Sequence, residues 1–268
     1  MKKKKTVYYK DLLNDDFAGT KSFKYKPLPK NFKFYHKSPL YWFCSGFVYY
    51  IIAIPLFWIV GHLVYGFRIR GKRKFRKTHM GKKGFFVYGN HTTIGDGFFV
   101  PVWLIPPRRT FVLCSNESVS NKFLRPIETM VGALPLPSYP EQTKPFLEAV
   151  EKHIQHGNAI LIFPEAHIWP YYTRIRPFPE QSFTYPASLG RPVIATCVTY
   201  EKRKILRFLP PRAVMHVSGV FEPDMSKPLG ERTKLLREAV YTYMVEVSSS
   251  LDNYEYIRYL PAPKDPEA

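Results

Sequence analysis

Cysteine and acidic residues are both scarce in this sequence of 268 residues. The three cysteines, Cys44, Cys114 and Cys197, lie far apart and form no C-x-x-C pair. This excludes a disulfide framework and a cysteine zinc site, and it indicates reduced, mostly buried thiols in a protein at a cytosolic face. Only 21 Asp and Glu stand against 40 Lys and Arg, which gives a formal net charge of +19. The 45% of apolar residues excludes a disordered chain.

The basic excess is confined to the N-terminal third of the chain. Residues 1–90 hold 20 Lys and Arg but only 3 Asp and Glu, whereas residues 91–268 hold 20 and 18. A basic arm of this kind binds a polyanion, either nucleic acid or an anionic membrane surface. The remainder of the chain has the charge balance of an ordinary soluble domain.

Residues 38–67 lack Asp, Glu, Lys and Arg altogether. Thirty residues exceed the roughly 20 needed to cross a bilayer core, but Pro55 divides the segment and basic residues flank both ends. We expect a helical hairpin or an interfacial helix, with a single span and a buried core helix as the alternatives. A signal peptide is disfavoured because no small-residue cleavage site follows.

The run R-I-R-G-K-R-K-F-R-K at 68–77 follows this uncharged segment directly. Beside an apolar segment, such a cluster indicates contact with anionic lipid rather than with nucleic acid. The alternative is a solvated loop whose charge only adds solubility. We therefore expect anionic membrane lipids as a partner and no nucleic acid.

Short apolar runs alternate with helical patterns over the rest of the chain. The runs lie at 84–90, 110–114, 159–163, 192–200 and 213–221, and apolar residues recur at helical spacing in 141–156 and 231–247. This alternation predicts an α/β fold, with a mixed central sheet that is flanked by helices and is largely parallel in its middle. His153 and His156 are expected on a solvated helix face, because no third metal ligand lies at a suitable spacing.

The first candidate site is Asn90-His91-Thr92-Thr93-Ile94-Gly95-Asp96, directly after an apolar run. In open α/β sheets, ligands bind beyond the carboxyl ends of strands. His91 and Asp96 can meet only if His91 lies in the strand-to-helix turn and Asp96 near the helix start. Asp96 would then fix the histidine tautomer and leave the other ring nitrogen basic. Alternatively, Thr93 and Asp96 form a capping box.

The second candidate site is Phe163-Pro164-Glu165, after the run A-I-L-I-F. Pro164 cannot donate a ladder hydrogen bond, so the strand ends there. Glu165 could bind a hydroxyl, a cation or a backbone amide. It could equally be a carboxylate at a helix start, stabilised by the helix dipole.

N-H-T-T-I-G-D, followed about seventy residues later by F-P-E, resembles the lysophospholipid acyltransferase superfamily of 1-acylglycerol-3-phosphate acyltransferase-like (PlsC-like) proteins. His91 and Asp96 match its H-x-x-x-x-D motif, and Phe163-Pro164-Glu165 match the start of its F-P-E-G-T-R block. Gly132 in V-G-A-L-P-L-P and the run R-P-V-I-A-T-C-V-T-Y resemble the other two blocks. An apolar, basic-flanked N-terminal helix is also typical of this family.

The resemblance implies direct acyl transfer at the cytoplasmic face of a membrane. His91, held by Asp96, is expected to take the proton of an acceptor hydroxyl, whose oxygen attacks the thioester of acyl-CoA or acyl-carrier protein. No metal and no cofactor beyond this co-substrate is expected. The acceptor would be a lysophospholipid or a glycerol-phosphate-type molecule. Residues expected to bind substrate are Phe163, Pro164, Glu165, Gly132 and Arg174.

The sequence departs from the family pattern at two places. Ala166-His167-Ile168 stand where Gly-Thr-Arg is expected, and Ser138 stands at the arginine of the second block. In the family those arginines are associated with the acceptor phosphate, which suits guanidinium geometry. Arg174 and Arg176 could supply the displaced charge. The alternative function is a non-enzymatic protein that binds anionic membranes and retains the fold.

The predicted organisation has four parts. A basic N-terminal arm covers 1–37, and a membrane-associated helical segment with its basic flank covers 38–77. The acyltransferase catalytic domain covers 78–250, and a C-terminal tail covers 251–268.

Overall fold

Each of the five apolar runs forms a strand of one central sheet. The structure is a computed structural model that describes residues 5–17, 26–77, 83–250 and 252–263. Parts of the predicted arm (1–4 and 18–25), of the predicted catalytic domain (78–82) and of the predicted tail (251 and 264–268) lie outside the described residues. In chain order the strands are β1 (Lys5–Tyr9), β2 (Arg68–Arg70), β3 (Phe85–Gly89), β4 (Thr110–Cys114), β5 (Ala133–Pro135), β6 (Ala159–Ile162), β7 (Val193–Glu201), β8 (Arg212–Phe221) and β9 (Ile257–Pro261).

Helices of very different lengths connect these strands. They are α1 (Pro39–Gly46), α2 (Ile54–Leu63), α3 (Lys72–Lys77), α4 (Asp96–Phe99), α5 (Arg125–Met130), α6 (Thr143–Gln155), α7 (Thr184–Leu189) and α8 (Leu229–Ser250). Phe47–Ala53 and Val100–Leu104 are π-helical. Both helices predicted from apolar periodicity, 141–156 and 231–247, are confirmed as α6 and α8.

The central sheet has seven strands in the order β2-β8-β7-β3-β6-β4-β5. All neighbours are parallel except β7 and β8, which form an antiparallel pair. The predicted mixed α/β sheet, parallel in its middle, is therefore confirmed. The carboxyl ends of β3, β6 and β7 meet at one edge, where ligands bind in open α/β sheets.

Two apolar cores lie on opposite faces of this sheet. In β3, Phe86 and Tyr88 belong to one core, whereas Phe85 and Val87 belong to the other. Alternate side chains of a strand point to opposite faces, so a run that is apolar throughout is buried on both sides. Helices α6 and α8 cover the first face, and the α4 region covers the second.

The prediction that His153 lies on a solvated helix face is wrong. His153 is buried and stacks on Phe111, with the ring centroids 3.6 Å apart. Burial lowers the pKa of His153 to about 3, so the ring is neutral. His156, three residues on, is exposed as expected. A neutral imidazole is similar in size and planarity to an aromatic core side chain. The sequence alone does not show which histidines are neutral and buried.

The uncharged segment forms one continuous helix from Pro39 to Leu63, so the chain does not reverse at Pro55 and the predicted hairpin is not formed. The π-helical stretch Phe47–Ala53 comes directly before Ile54 and Pro55. Because a π-helix is wider than an α-helix, it accommodates the proline ring, which would otherwise clash with a backbone carbonyl of the preceding turn. The helix has 25 residues, and its most apolar window has a mean hydropathy of 2.0. Only 17% of that window is buried inside the protein. By length and composition alone it could cross a membrane.

One stripe of this helix packs on the domain. Ser45, Tyr49, Ala53 and Gly61 are its buried residues. The Tyr49 hydroxyl accepts a hydrogen bond from the Thr110 backbone at 3.0 Å. These positions lie four or eight residues apart and thus on one side of the helix. The domain therefore supports the helix along its length, and the opposite side is exposed.

The two ends of the chain pair with each other. β1 and β9 form a separate two-stranded parallel sheet, with Val7 opposite Tyr259. Tyr259 stacks on Trp169 at 5.0 Å, and the Trp169 indole donates a hydrogen bond to the Asp15 carbonyl. Part of the predicted arm and part of the predicted tail therefore cover the loop that follows β6.

Candidate active site

His91 and Asp96 meet at the carboxyl end of β3, as the sequence predicts. Nδ1 of His91 lies 3.2 Å from Oδ2 of Asp96, which is the first residue of α4. The His91 side chain is 16% exposed and the Asp96 side chain only 2%. A substrate can therefore reach the histidine ring but not the carboxylate behind it.

Both carboxylate oxygens of Asp96 accept hydrogen bonds. Its Oδ2 accepts the backbone N–H groups of Thr92 at 2.6 Å and Thr93 at 2.8 Å, and its Oδ1 accepts the Thr93 hydroxyl at 2.6 Å. Thr93 therefore bonds Asp96 but does not cap the helix: the N-cap of α4 is Gly95, which has no side-chain cap, so the capping-box alternative is wrong. A carboxylate with these donors fixes the tautomer in which Nδ1 of His91 carries the proton. The Nε2 lone pair remains free to accept one.

Glu165 is buried beneath the His91 loop. Its Oε2 accepts the His91 backbone N–H at 3.2 Å, and its Oε1 accepts the Arg176 backbone N–H at 2.9 Å. Burial raises the pKa of Glu165, against the opposing effects of Arg176 and of the two backbone donors. Glu165 lies in a turn and not at a helix start, so the helix-dipole alternative is wrong. It joins the two candidate motifs into one site.

Arg176 is the buried partner of Glu165. A guanidinium nitrogen lies 3.5 Å from Oε2, and both side chains are about 1% exposed. The same nitrogen donates to the backbone carbonyls of Glu165 and His167. The guanidinium also faces the ring of Trp169 at 5.1 Å. Arg176 therefore holds the loop after β6 in shape from within.

The His91 ring lies between this loop and the sheet. Phe163 stacks on it, with the ring centroids 4.1 Å apart and the planes 9° apart. The Trp169 backbone N–H donates to the His91 carbonyl at 3.2 Å, and the Tyr171 backbone N–H donates to the Thr92 carbonyl at 3.0 Å. The ring is therefore held by a stacking partner, and its backbone by two residues of the loop.

Strand β7 fixes the other side of the His91 loop. The Asn90 side chain exchanges two hydrogen bonds with the backbone of Val198, at 2.7 and 3.0 Å. The Tyr200 hydroxyl donates to Oγ1 of Thr92 at 2.7 Å. Sequence reasoning gave Asn90 and Tyr200 no role, yet both are buried beside the candidate base.

A model of the Acyltransferase family matches residues 66–200, just over half of the chain and all of both motifs. The chain belongs to the acyltransferase family. Its fold is similar to the crystal structure of PlsC, the 1-acyl-sn-glycerophosphate (LPA) acyltransferase from Thermotoga maritima. The TM-score is 0.53 at 15% sequence identity, over 80% of this chain and 96% of that chain. Sequence comparison with curated proteins gives no significant match. The predicted acyltransferase family is thus confirmed, and its fold is like that of PlsC.

Gly132, one of the predicted binding residues of this acyltransferase, lies away from His91. The register places Gly132 level with Phe86, three strands across the sheet from β3, or about 14 Å at the usual strand spacing. Its φ of +103° and the approach of the Thr110 carbonyl, 2.4 Å from where a Cβ would lie, explain why only glycine fits. Arg174 is exposed in a pocket with Tyr9 and Tyr259.

Ala166, in the loop after β6, has a left-handed backbone. Its φ is +64°, a conformation that costs a residue with a Cβ about 1–2 kcal/mol. The family pattern has glycine here, so the substitution in this chain retains the turn but strains it. The departure at Ala166 therefore lowers the stability of the loop.

We expect Ala166→Gly to raise the free energy of unfolding by about 1 kcal/mol, because relief of this strain exceeds the entropy cost of glycine. In thermal unfolding of the detergent-solubilised protein, Tm should rise by about 2–4 °C. Ala187→Gly, within helix α7, is the matched control and should lower Tm. An unchanged or lower Tm for Ala166→Gly would contradict the strain.

Proposed function

We propose that this acyltransferase moves a fatty acyl group from acyl-CoA or acyl-carrier protein to a hydroxyl of a lysophospholipid or glycerol-phosphate-type acceptor. The observation that carries the proposal is the contact of His91 Nδ1 with the buried Asp96 carboxylate. It leaves Nε2 as a base at the accessible end of the site. The proposed mechanism requires no covalent enzyme intermediate and no cofactor beyond the acyl donor.

The reaction is a single displacement at the thioester carbonyl. Nε2 of His91 takes the proton of the acceptor hydroxyl as its oxygen attacks the carbonyl carbon. The tetrahedral intermediate then collapses, the C–S bond breaks, and the imidazolium returns the proton to the leaving sulfur. The products are the new ester and the free thiol of the donor. General base catalysis of this kind contributes about 10²–10⁴-fold, and positioning adds to it.

We place the reaction at a membrane surface, where both the acyl chain and a lysolipid acceptor reside. The exposed side of helix 39–63 presents Phe43, Ile51, Leu56 and Leu63. Because the domain packs along the other side of this helix, an interfacial position buries the apolar side without moving the domain into the bilayer. The basic residues at 68–77 fold into β2 and α3 rather than a loop, and β2 presents exposed Arg68 and Arg70 beside the helix end. The free cysteines agree with a cytoplasmic face.

The test is acyl transfer from radiolabelled acyl-CoA, or acyl-carrier protein, to a panel of lysolipids and glycerol phosphates in membranes containing this protein. We expect one class of acceptor to be labelled, with free thiol released in equal amount. Membranes with the His91→Ala protein are the control and should show neither product. The absence of transfer with both donors across the panel would contradict the proposal and favour the non-enzymatic membrane-binding alternative.

A further inference from the structure

The loop between β7 and β8, residues 202–211, combines apolar and basic residues on an exposed surface. Ile205 is 76% exposed, Leu206 51% and Phe208 82%. The exposed cations Lys202 and Lys204 precede them, and the exposed Arg207 lies between Leu206 and Phe208. Soluble proteins rarely expose several large apolar side chains together without an interaction partner.

This loop lies beyond the carboxyl end of β7, at the same edge of the sheet as the candidate active site. β7 runs parallel to β3, with Thr196 level with Gly89. It continues for five more residues to Glu201, or about 16 Å beyond that level. Along the way, Tyr200 bonds Thr92 of the His91 loop. The apolar loop therefore projects past the rim of the site.

The loop is also attached to the end of the apolar helix. Arg203 is buried, and its guanidinium donates to the carbonyl of Val64, the residue after α2, and to the carbonyl of Pro210 across the loop. Below the loop, the Ala213 backbone N–H donates to the Tyr65 carbonyl at 2.9 Å. These bonds attach the exposed loop to the C-terminal end of helix 39–63.

The charge of the loop selects one kind of partner. Among the described residues, Lys202, Lys204 and Arg207 form no ion pair with an acidic side chain, and the loop itself contains no Asp or Glu. Apolar side chains framed by unpaired cations match an anionic bilayer, in which phosphates lie above acyl chains. A protein partner would have to supply both features on one surface.

We propose that the β7–β8 loop is a second membrane-inserting element, which buries Ile205, Leu206 and Phe208 in an anionic bilayer beside helix 39–63. It rests on the membrane location in the proposed function. Two points of insertion, the helix and the loop, fix the tilt of the domain relative to the membrane. The helix alone would leave the domain free to rotate about the helix axis. Together they hold the open end of the His91 site against the lipid from which an acceptor would come.

The test places an environment-sensitive fluorophore on single cysteines of the full chain, reconstituted in phosphatidylglycerol vesicles that carry a spin-labelled lipid quencher. Cys44→Ser and Cys114→Ser remove the exposed and the half-buried thiol, and the remaining native thiol, Cys197, is buried. The probe sites are Phe208→Cys in the loop, Leu56→Cys in the helix and Leu235→Cys on the exposed side of α8.

We expect quenching and a blue shift at positions 208 and 56, and neither at position 235. Quenching at 56 alone would overturn the loop proposal and leave the membrane location intact. Quenching at neither 56 nor 208 would overturn both. In vesicles of phosphatidylcholine alone, quenching should fall at 208 but persist at 56. Equal quenching at 208 in both lipids would contradict the selection for anionic lipid.

Discussion

Replacing His91 by alanine should reduce acyl transfer by about 10²–10⁴-fold, the usual contribution of a positioned general base. The structure supplies the reason. Nδ1 is occupied by Asp96 at 3.2 Å, so Nε2 is the basic nitrogen, and the ring is held in place by Phe163. The measurement is the initial rate of transfer from labelled acyl-CoA to the acceptor identified in the panel.

His156→Ala is the matched control for this experiment. His156 is exposed at the end of α6, on a different element from the site, and its loss should leave the rate unchanged. Both variants should remain in the membrane fraction, because neither change touches the apolar helix. A rate for His91→Ala within a few-fold of wild type would remove His91 from the mechanism, even if the protein proves to be an acyltransferase by another route.

Much of this site could be predicted from local sequence alone. An uninterrupted apolar run followed by a polar motif indicates a buried strand and its carboxyl end, which placed both His91 and Glu165 at one edge of the sheet. The five-residue spacing of His91 and Asp96 required a turn between them, and the structure has that turn. These relations depend on a few neighbouring residues, so a sequence is sufficient to predict them.

The contacts that sequence reasoning missed join distant residues. Tyr200 reaches Thr92 across 108 positions, and β1 pairs with β9 from the other end of the chain. In both cases the local sequence around one partner gives no indication of the other partner. The family pattern also drew attention to the position after Phe163-Pro164-Glu165, where an arginine is absent. Sequence reasoning offered Arg176 as displaced charge for the acceptor phosphate, but Arg176 is buried against Glu165, a contact that only the fold defines.

Arg176→Ala is expected to lower the free energy of unfolding by about 3–5 kcal/mol, because it leaves Glu165 buried without its charge partner. It should also lower acyl transfer, since Glu165 holds the backbone of His91. Unfolding of the detergent-solubilised protein in urea measures the first effect. Arg174→Ala, two residues away and exposed, is the matched control and should change stability by no more than about 0.5 kcal/mol.

The double variant Glu165→Leu/Arg176→Met separates positioning from stability. Arg176 is buried with Nε and Nη1 unpartnered among the described residues, so the native pair is itself imperfectly satisfied. Replacing both charges by apolar side chains should therefore recover much of the stability that Arg176→Ala loses. Transfer should not recover, because the His91 backbone N–H no longer has its acceptor. Restored activity in the double variant would show that the pair stabilises the loop but does not position the base.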